Sequence, residues 1–98
     1  MIGQERAADG SATLLRLGGE LDITARDALR ETIFAALGDG DVVIDLEAVT
    51  FVDSEALGAL IEGYKAARAR PAGFRVVNAH GVVARVLRVS GALELFGG

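Results

Sequence analysis

Asp41-Val42-Val43-Ile44-Asp45-Leu46-Glu47-Ala48-Val49-Thr50-Phe51-Val52-Asp53-Ser54-Glu55-Ala56-Leu57-Gly58 carries the chain from one type of element into another. Val42, Val43, Ile44 and Leu46 form a nearly continuous aliphatic run, the pattern of a strand covered on both faces. Glu47 to Ser54 reads as the loop leaving it. Asp53 is a good N-cap, which puts Ser54 at the first helical position beside the free amides of the first turn. Leu57, Leu60, Ile61, Tyr64 and Ala67 then repeat at helical spacing, with Glu55, Glu62, Lys65 and Arg68 on the polar side. Pro71 and Gly73 stop that helix near Arg70.

On the N-terminal side, Ala25, Ala28, Leu29, Ile33, Ala36 and Leu37 mark a helix over residues 25–37, with Thr24 as expected N-cap and Gly38 just past the end. Thr13 to Leu17 suits a buried strand, and Ile2 to Ala7 an edge strand joined to it by a turn at Asp9-Gly10. On the C-terminal side, Phe74 to Asn78 reads as a strand. Val82, Val83, Val86 and Leu87 stripe a third helix ending at Gly91, and the apolar tail Ala92 to Phe96 packs back on the body. The sum is β-β-α-β-α-β-α, an α/β layered domain with a mixed, mainly parallel four-stranded sheet. In such a sheet the loops at the carboxyl ends of the parallel strands share an edge, so Gly18–Thr24, Glu47–Ser54 and Asn78–Gly81 are expected to gather there.

Composition narrows the function. The 98 residues, with breaks only at Gly38–Asp41, Pro71–Gly73 and Gly97–Gly98, read as a single domain over 1–98. Cysteine is absent, which removes thiol catalysis, thiolate metal sites and disulfides. A net charge of -4 without a basic cluster has the wrong sign for nucleic acid or an anionic membrane. Apolar runs of at most five residues fall far short of the roughly 20 needed for a span, and Met1 to Asp9 lack a signal-peptide core, so a cytoplasmic location is expected. Glu20 and Asp22 form a polar turn with no histidine nearby, and Gly18-Gly19 fit no phosphate-binding loop, so neither a metal nor another cofactor is expected. A hydrolase built on Asp53, Ser54 and His80 would need a base and an oxyanion hole that no signature supplies, and no enzymatic activity is expected. Ser54 itself has two readings: an accessory to the Asp53 cap, or an acceptor for a phosphoryl group.

Gly19-Glu20-Leu21-Asp22, the Val42–Leu46 strand, Phe51 to Gly58, and Val86 to Phe96 together resemble the STAS domain, specifically the bacterial anti-sigma factor antagonists. The resemblance runs from about Thr13 to Phe96 and implies a mixed sheet with helices packed on it. It further implies that Ser54, directly after the aspartate at the start of the second helix, is phosphorylated by a partner that is both serine kinase and anti-sigma factor. A phosphatase to reset the mark is implied with it. The unphosphorylated form would hold that partner and free a sigma factor. Glu20, Asp22, Asp53, Ser54 and Glu55 are similar in position to the family's kinase-facing surface. Where the family has a small hydroxyl residue and then glycine after the serine, this chain has Glu55 and Ala56, which puts a fixed negative charge beside the acceptor. Similar small STAS proteins also serve as accessory subunits on the ATPase of lipid-transporting ABC systems, a role that needs no phosphorylation.

Overall fold

The structure is a computed structural model that describes residues 2–96; the Gly97–Gly98 break lies outside the described residues. Four strands, β1 (Ile2–Arg6), β2 (Ala12–Leu21), β3 (Asp41–Val52) and β4 (Phe74–Val77), form one sheet in the order β1-β2-β3-β4. β1 runs antiparallel to β2, and β2, β3 and β4 run parallel. Helices α1 (Arg26–Leu37), α2 (Ser54–Arg68), α3 (Gly81–Val89) and the short α4 (Ala92–Leu95) complete the chain. This is the mixed sheet and element order expected, with the tail forming a helix of its own.

The sheet has one buried face. Thr13, Leu15 and Leu17 of β2 and Val42, Ile44 and Leu46 of β3 point into a single core with Leu29 and Ile33 of α1, Leu60 of α2 and Leu87 of α3. The intervening residues, Leu14, Arg16, Val43, Asp45 and Arg75, are exposed or half-buried on the other face. The expectation that β3 is covered on both sides is therefore corrected. Its Val43 is partly sheltered within the sheet face, and the aliphatic run reflects β propensity as much as burial.

A second correction concerns the length of β3, which continues through Glu47–Val52 where a loop was expected. Pairing with β2 slips between Arg16 and Gly18 and again between Gly19 and Glu20, each time placing an extra residue on β3. Each such bulge shifts the side-chain alternation by one. The buried positions accordingly fall at Val42, Ile44, Leu46, Val49 and Val52, the spacing opening from two residues to three where the bulges occur.

Helix α2 approaches α1 and β4 closely at Gly63, where an added Cβ would stand 2.7 Å from Ile33 Cγ2 and 3.0 Å from Phe74 Cε2. Behind it, Tyr64, Phe74 and Phe96 meet edge-on or tilted, with ring centroids 5.8 to 6.4 Å apart, and this fastens the C-terminal tail. Gly63→Ala sets a helix-propensity gain of about 1 kcal/mol against overpacking of about 1–3 kcal/mol. Because Ile33 is fully buried and cannot retreat, a net loss of about 1 kcal/mol is expected in urea unfolding. Gly58→Ala, with nothing within 4 Å of its added Cβ, should instead gain about 0.5–1 kcal/mol. Equal effects at the two positions would contradict the close approach.

Candidate functional site

The extension of β3 carries it level with the end of β2. Leu21 pairs with Val52, and the Asp53 amide donates to the Leu21 carbonyl at 3.0 Å, so the two strands release their chains side by side. Asp22 and Asp53 follow at once, and each carboxylate caps what comes next. Asp53 Oδ1 accepts from the amides of Glu55 and Ala56, both at 3.0 Å, the N-cap expected for α2. Asp22 Oδ1 accepts from the Thr24 amide at 3.0 Å and from the Thr24 hydroxyl.

That second cap corrects the expected start of α1. Residues Ile23–Ala25 form a 3-10 turn capped by Asp22, and Thr24 spends its hydroxyl on Asp22 instead of capping α1. The hydroxyl, then the amide, hold the Asp22 carboxyl below its ordinary range. Its contribution is thus fully present above the ordinary carboxylate pKa and is lost only as pH falls through the lowered value.

Ser54 occupies the first position of α2 and is exposed, and its hydroxyl has no hydrogen bond among the described residues. Glu55, next to it, is not a bare charge: its Oε1 lies 2.6 Å from Nη1 of Arg26 at the start of α1. Arg26 also meets Asp27 at 3.2 Å, and these two carboxylates, Asp27 first, hold its proton more firmly still. Glu20 is exposed at the end of β2, in register with Phe51. The structure thus brings Glu20, Asp22, Asp53, Ser54 and Glu55 to one sheet edge, on two adjacent strand ends.

The third loop expected there stops short. β4 ends beside Asp45, and Asn78 and His80 are tied to the middle of β3: Asn78 Nδ2 donates to Asp45 Oδ1 at 3.0 Å, and His80 Nε2 donates to the Glu47 carbonyl at 2.7 Å. Asn78, then the Glu47 amide, keep the Asp45 carboxyl below its ordinary range. Strand β3 runs on for roughly 15 Å beyond Glu47 at about 3.3 Å per residue, so His80 is not placed to act on Ser54. Asp53 is equally committed, as a cap. Among the described residues, no three His, Asp or Glu side chains converge as a metal site would require.

What reaches Ser54 instead is the last turn of α3. Ser54, Leu57, Arg85, Val86, Val89 and Ser90 line an open groove of about 400 Å³ between α2 and α3. Val82 and Val89 face solvent, Val89 with 81% of its surface exposed, although Val82 fits the apolar stripe of α3. Ile23 and Phe51 add exposed apolar surface elsewhere in the chain, both on segments at this edge. Arg26, Arg85 and the groove were not apparent in the sequence; the one signal was that α3 has more valines than a single buried stripe uses.

The fold and this edge define a small α/β domain that displays polar groups and an apolar groove on one rim. Comparison places it more closely: a model of the STAS domain matches residues 5–97, and the chain belongs to the STAS domain family. An anti-sigma factor antagonist from Mycobacterium paratuberculosis is 30% identical, with 98% of this chain and 81% of that one covered and a TM-score of 0.85. The anti-sigma factor antagonist SpoIIAA in its unphosphorylated form is 23% identical, with 94% and 82% covered and a TM-score of 0.81. Bacillus SpoIIAA in its phosphorylated form is 21% identical, with 97% and 87% covered and a TM-score of 0.76. At these last two identities the likeness is one of fold.

Two measurements probe the site's construction. Asp53→Ala should cost about 1–2 kcal/mol in urea unfolding and Asp53→Asn only a few tenths, because asparagine caps nearly as well. A neutral Asp53→Ala would mean that the cap does not hold the start of α2. A double-mutant cycle on Arg26→Ala and Glu55→Ala should give a small favourable coupling that shrinks in 1 M salt, as for a half-exposed pair. No coupling at low salt would return Glu55 to the status of an unpartnered charge.

Proposed function

We propose that this chain is an anti-sigma factor antagonist that, unphosphorylated, binds an anti-sigma factor with serine kinase activity and so releases a sigma factor, and that Ser54 is the switch. The reading is supported above all by one observation: Ser54 presents a hydroxyl without a hydrogen bond among the described residues at the mouth of an apolar groove. Glu20, Asp22, Asp53 and Glu55 surround it as the polar part of the partner-binding surface. The groove and the exposed Ile23 and Phe51 are the apolar part.

Phosphorylation fits this surface chemically. The Ser54 oxygen forms its bond to the γ-phosphorus of the partner's ATP as the bond to ADP breaks, and the hydroxyl proton is released. The product carries about -1.5 to -2 charges at neutral pH. Like charges forced together at an interface cost several kcal/mol, and at about 1.4 kcal/mol per decade a penalty near 3 kcal/mol lowers affinity about a hundredfold. A phosphatase would restore the binding form. The cytoplasm is the compartment that this role requires, and no helix among the described residues is long and apolar enough to cross a membrane.

Incubation with ATP and an anti-sigma factor kinase should add one phosphate, mapped to Ser54 by fragment mass spectrometry. Ser54→Ala should abolish the modification, keep partner binding in calorimetry and cost about 1 kcal/mol or less in stability. Phosphate on Ser11 or Ser90 with Ser54 unmodified would overturn the assignment. Capture of a transporter ATPase, with no kinase acting on the chain, would overturn the antagonist role itself.

A further inference from the structure

We infer that Arg85 is the intramolecular receptor for the phosphate on Ser54, a role that rests on the reading of Ser54 as phosphoacceptor. An anion at a helix N-terminus ordinarily takes the free amides of the first turn. Here the amides of Glu55 and Ala56 are already held by Asp53 Oδ1 at 3.0 Å each. A phosphate on Ser54 thus finds two of the usual donors taken and carboxylates on both sides, at Asp53 and Glu55. It needs a cation from elsewhere. Arg26 is the nearest along α1, but Asp27 and Glu55 engage it at 3.2 and 2.6 Å.

Arg85 meets the need. It lines the same groove as Ser54, from the facing helix α3, and it is the one cation among the groove's lining residues. Arg6, Arg16, Arg26 and Arg30 each have a carboxylate partner; Arg85 has none among the described residues. It is exposed, and turning its side chain breaks no hydrogen bond or ion pair among the described residues. A guanidinium offers two parallel N–H donors to phosphate oxygens, a match that a point charge lacks. The ion pair would lie across the groove, over the apolar strip of Leu57, Val86 and Val89. The phosphate then acts twice: it adds charge at the rim and draws Arg85 over the surface that a partner would use.

The test installs phosphoserine at position 54 during translation, without any kinase, and follows the second ionisation of the phosphate by 31P NMR. A guanidinium beside the dianion favours it, so this pKa should lie lower in the unaltered chain than in Arg85→Gln. A rise of roughly half a pH unit is expected on substitution, the size of one exposed ion pair. Arg88→Gln, on the same helix but outside the groove, should leave the titration in place. Coincident titrations of the unaltered chain and Arg85→Gln, or an equal shift in Arg88→Gln, would overturn the clamp. Because no kinase is involved, failure of a kinase to modify Ser54 sinks the functional reading alone, and coincident titrations sink the clamp alone.

Discussion

The parallel pairing of β2 with β3, carried to the last residue of each, is the constraint on which the rest of the molecule depends. Leu21 meets Val52, and the next amide, that of Asp53, still donates to β2. Two chain segments therefore leave the sheet together, and each begins with an aspartate that organises the turn or helix after it. If β3 ended at Leu46, the chain would leave the sheet roughly 20 Å short of Val52 at about 3.3 Å per residue, and α2 would not begin beside Asp22 or bring Glu55 to Arg26. The two bulges make the longer pairing possible, because they let β3 keep Val49 and Val52 in the core while its backbone follows a twisting neighbour.

Those bulges also set the limit of what the sequence discloses. The order of elements, the Asp53 cap and the stripe of α2 were legible because each is a local pattern of fixed period or a short-range hydrogen bond. The second half of β3 was not, since apolar residues three apart read neither as a strand nor as a helix, and only pairing with β2 explains them. Thr24 was misjudged because Asp22 lies two residues earlier and competes for the same turn. The polar residues proposed for the site could be named only through the resemblance to the STAS domain, since their local patterns read equally as caps and a solvated turn. The contacts of Arg26 with Glu55 and of His80 with Glu47 span 29 and 33 residues, and no periodicity reports such meetings. The groove escaped for a related reason: exposed valines on α3 look the same in sequence as buried ones.

Charge at the site is more nearly balanced than the sequence suggests. Asp53 and Asp22 are occupied with amides and a hydroxyl, and Glu55 is paired with Arg26. What remains uncommitted at the rim, among the described residues, is the Glu20 carboxylate, the Ser54 hydroxyl, the Arg85 guanidinium and apolar surface. These groups sit together on one rim of a chain that belongs to the STAS family and shares its fold with SpoIIAA.

The long sequence separation of the site's parts also bears on when the site comes into being. Closing loops of this length is entropically costly, and parallel pairings of high sequence separation are among the slower contacts to form. Asp22 and Arg26 are synthesised well before Glu55, and the groove wall of α3 comes later still. A chain emerging from the ribosome can complete its β1–β2 hairpin while the rim remains unbuilt. Any partner that must touch both strand ends and α3 at once is thereby a reader of finished molecules, and it passes over nascent or partly unfolded ones without a separate proofreading step.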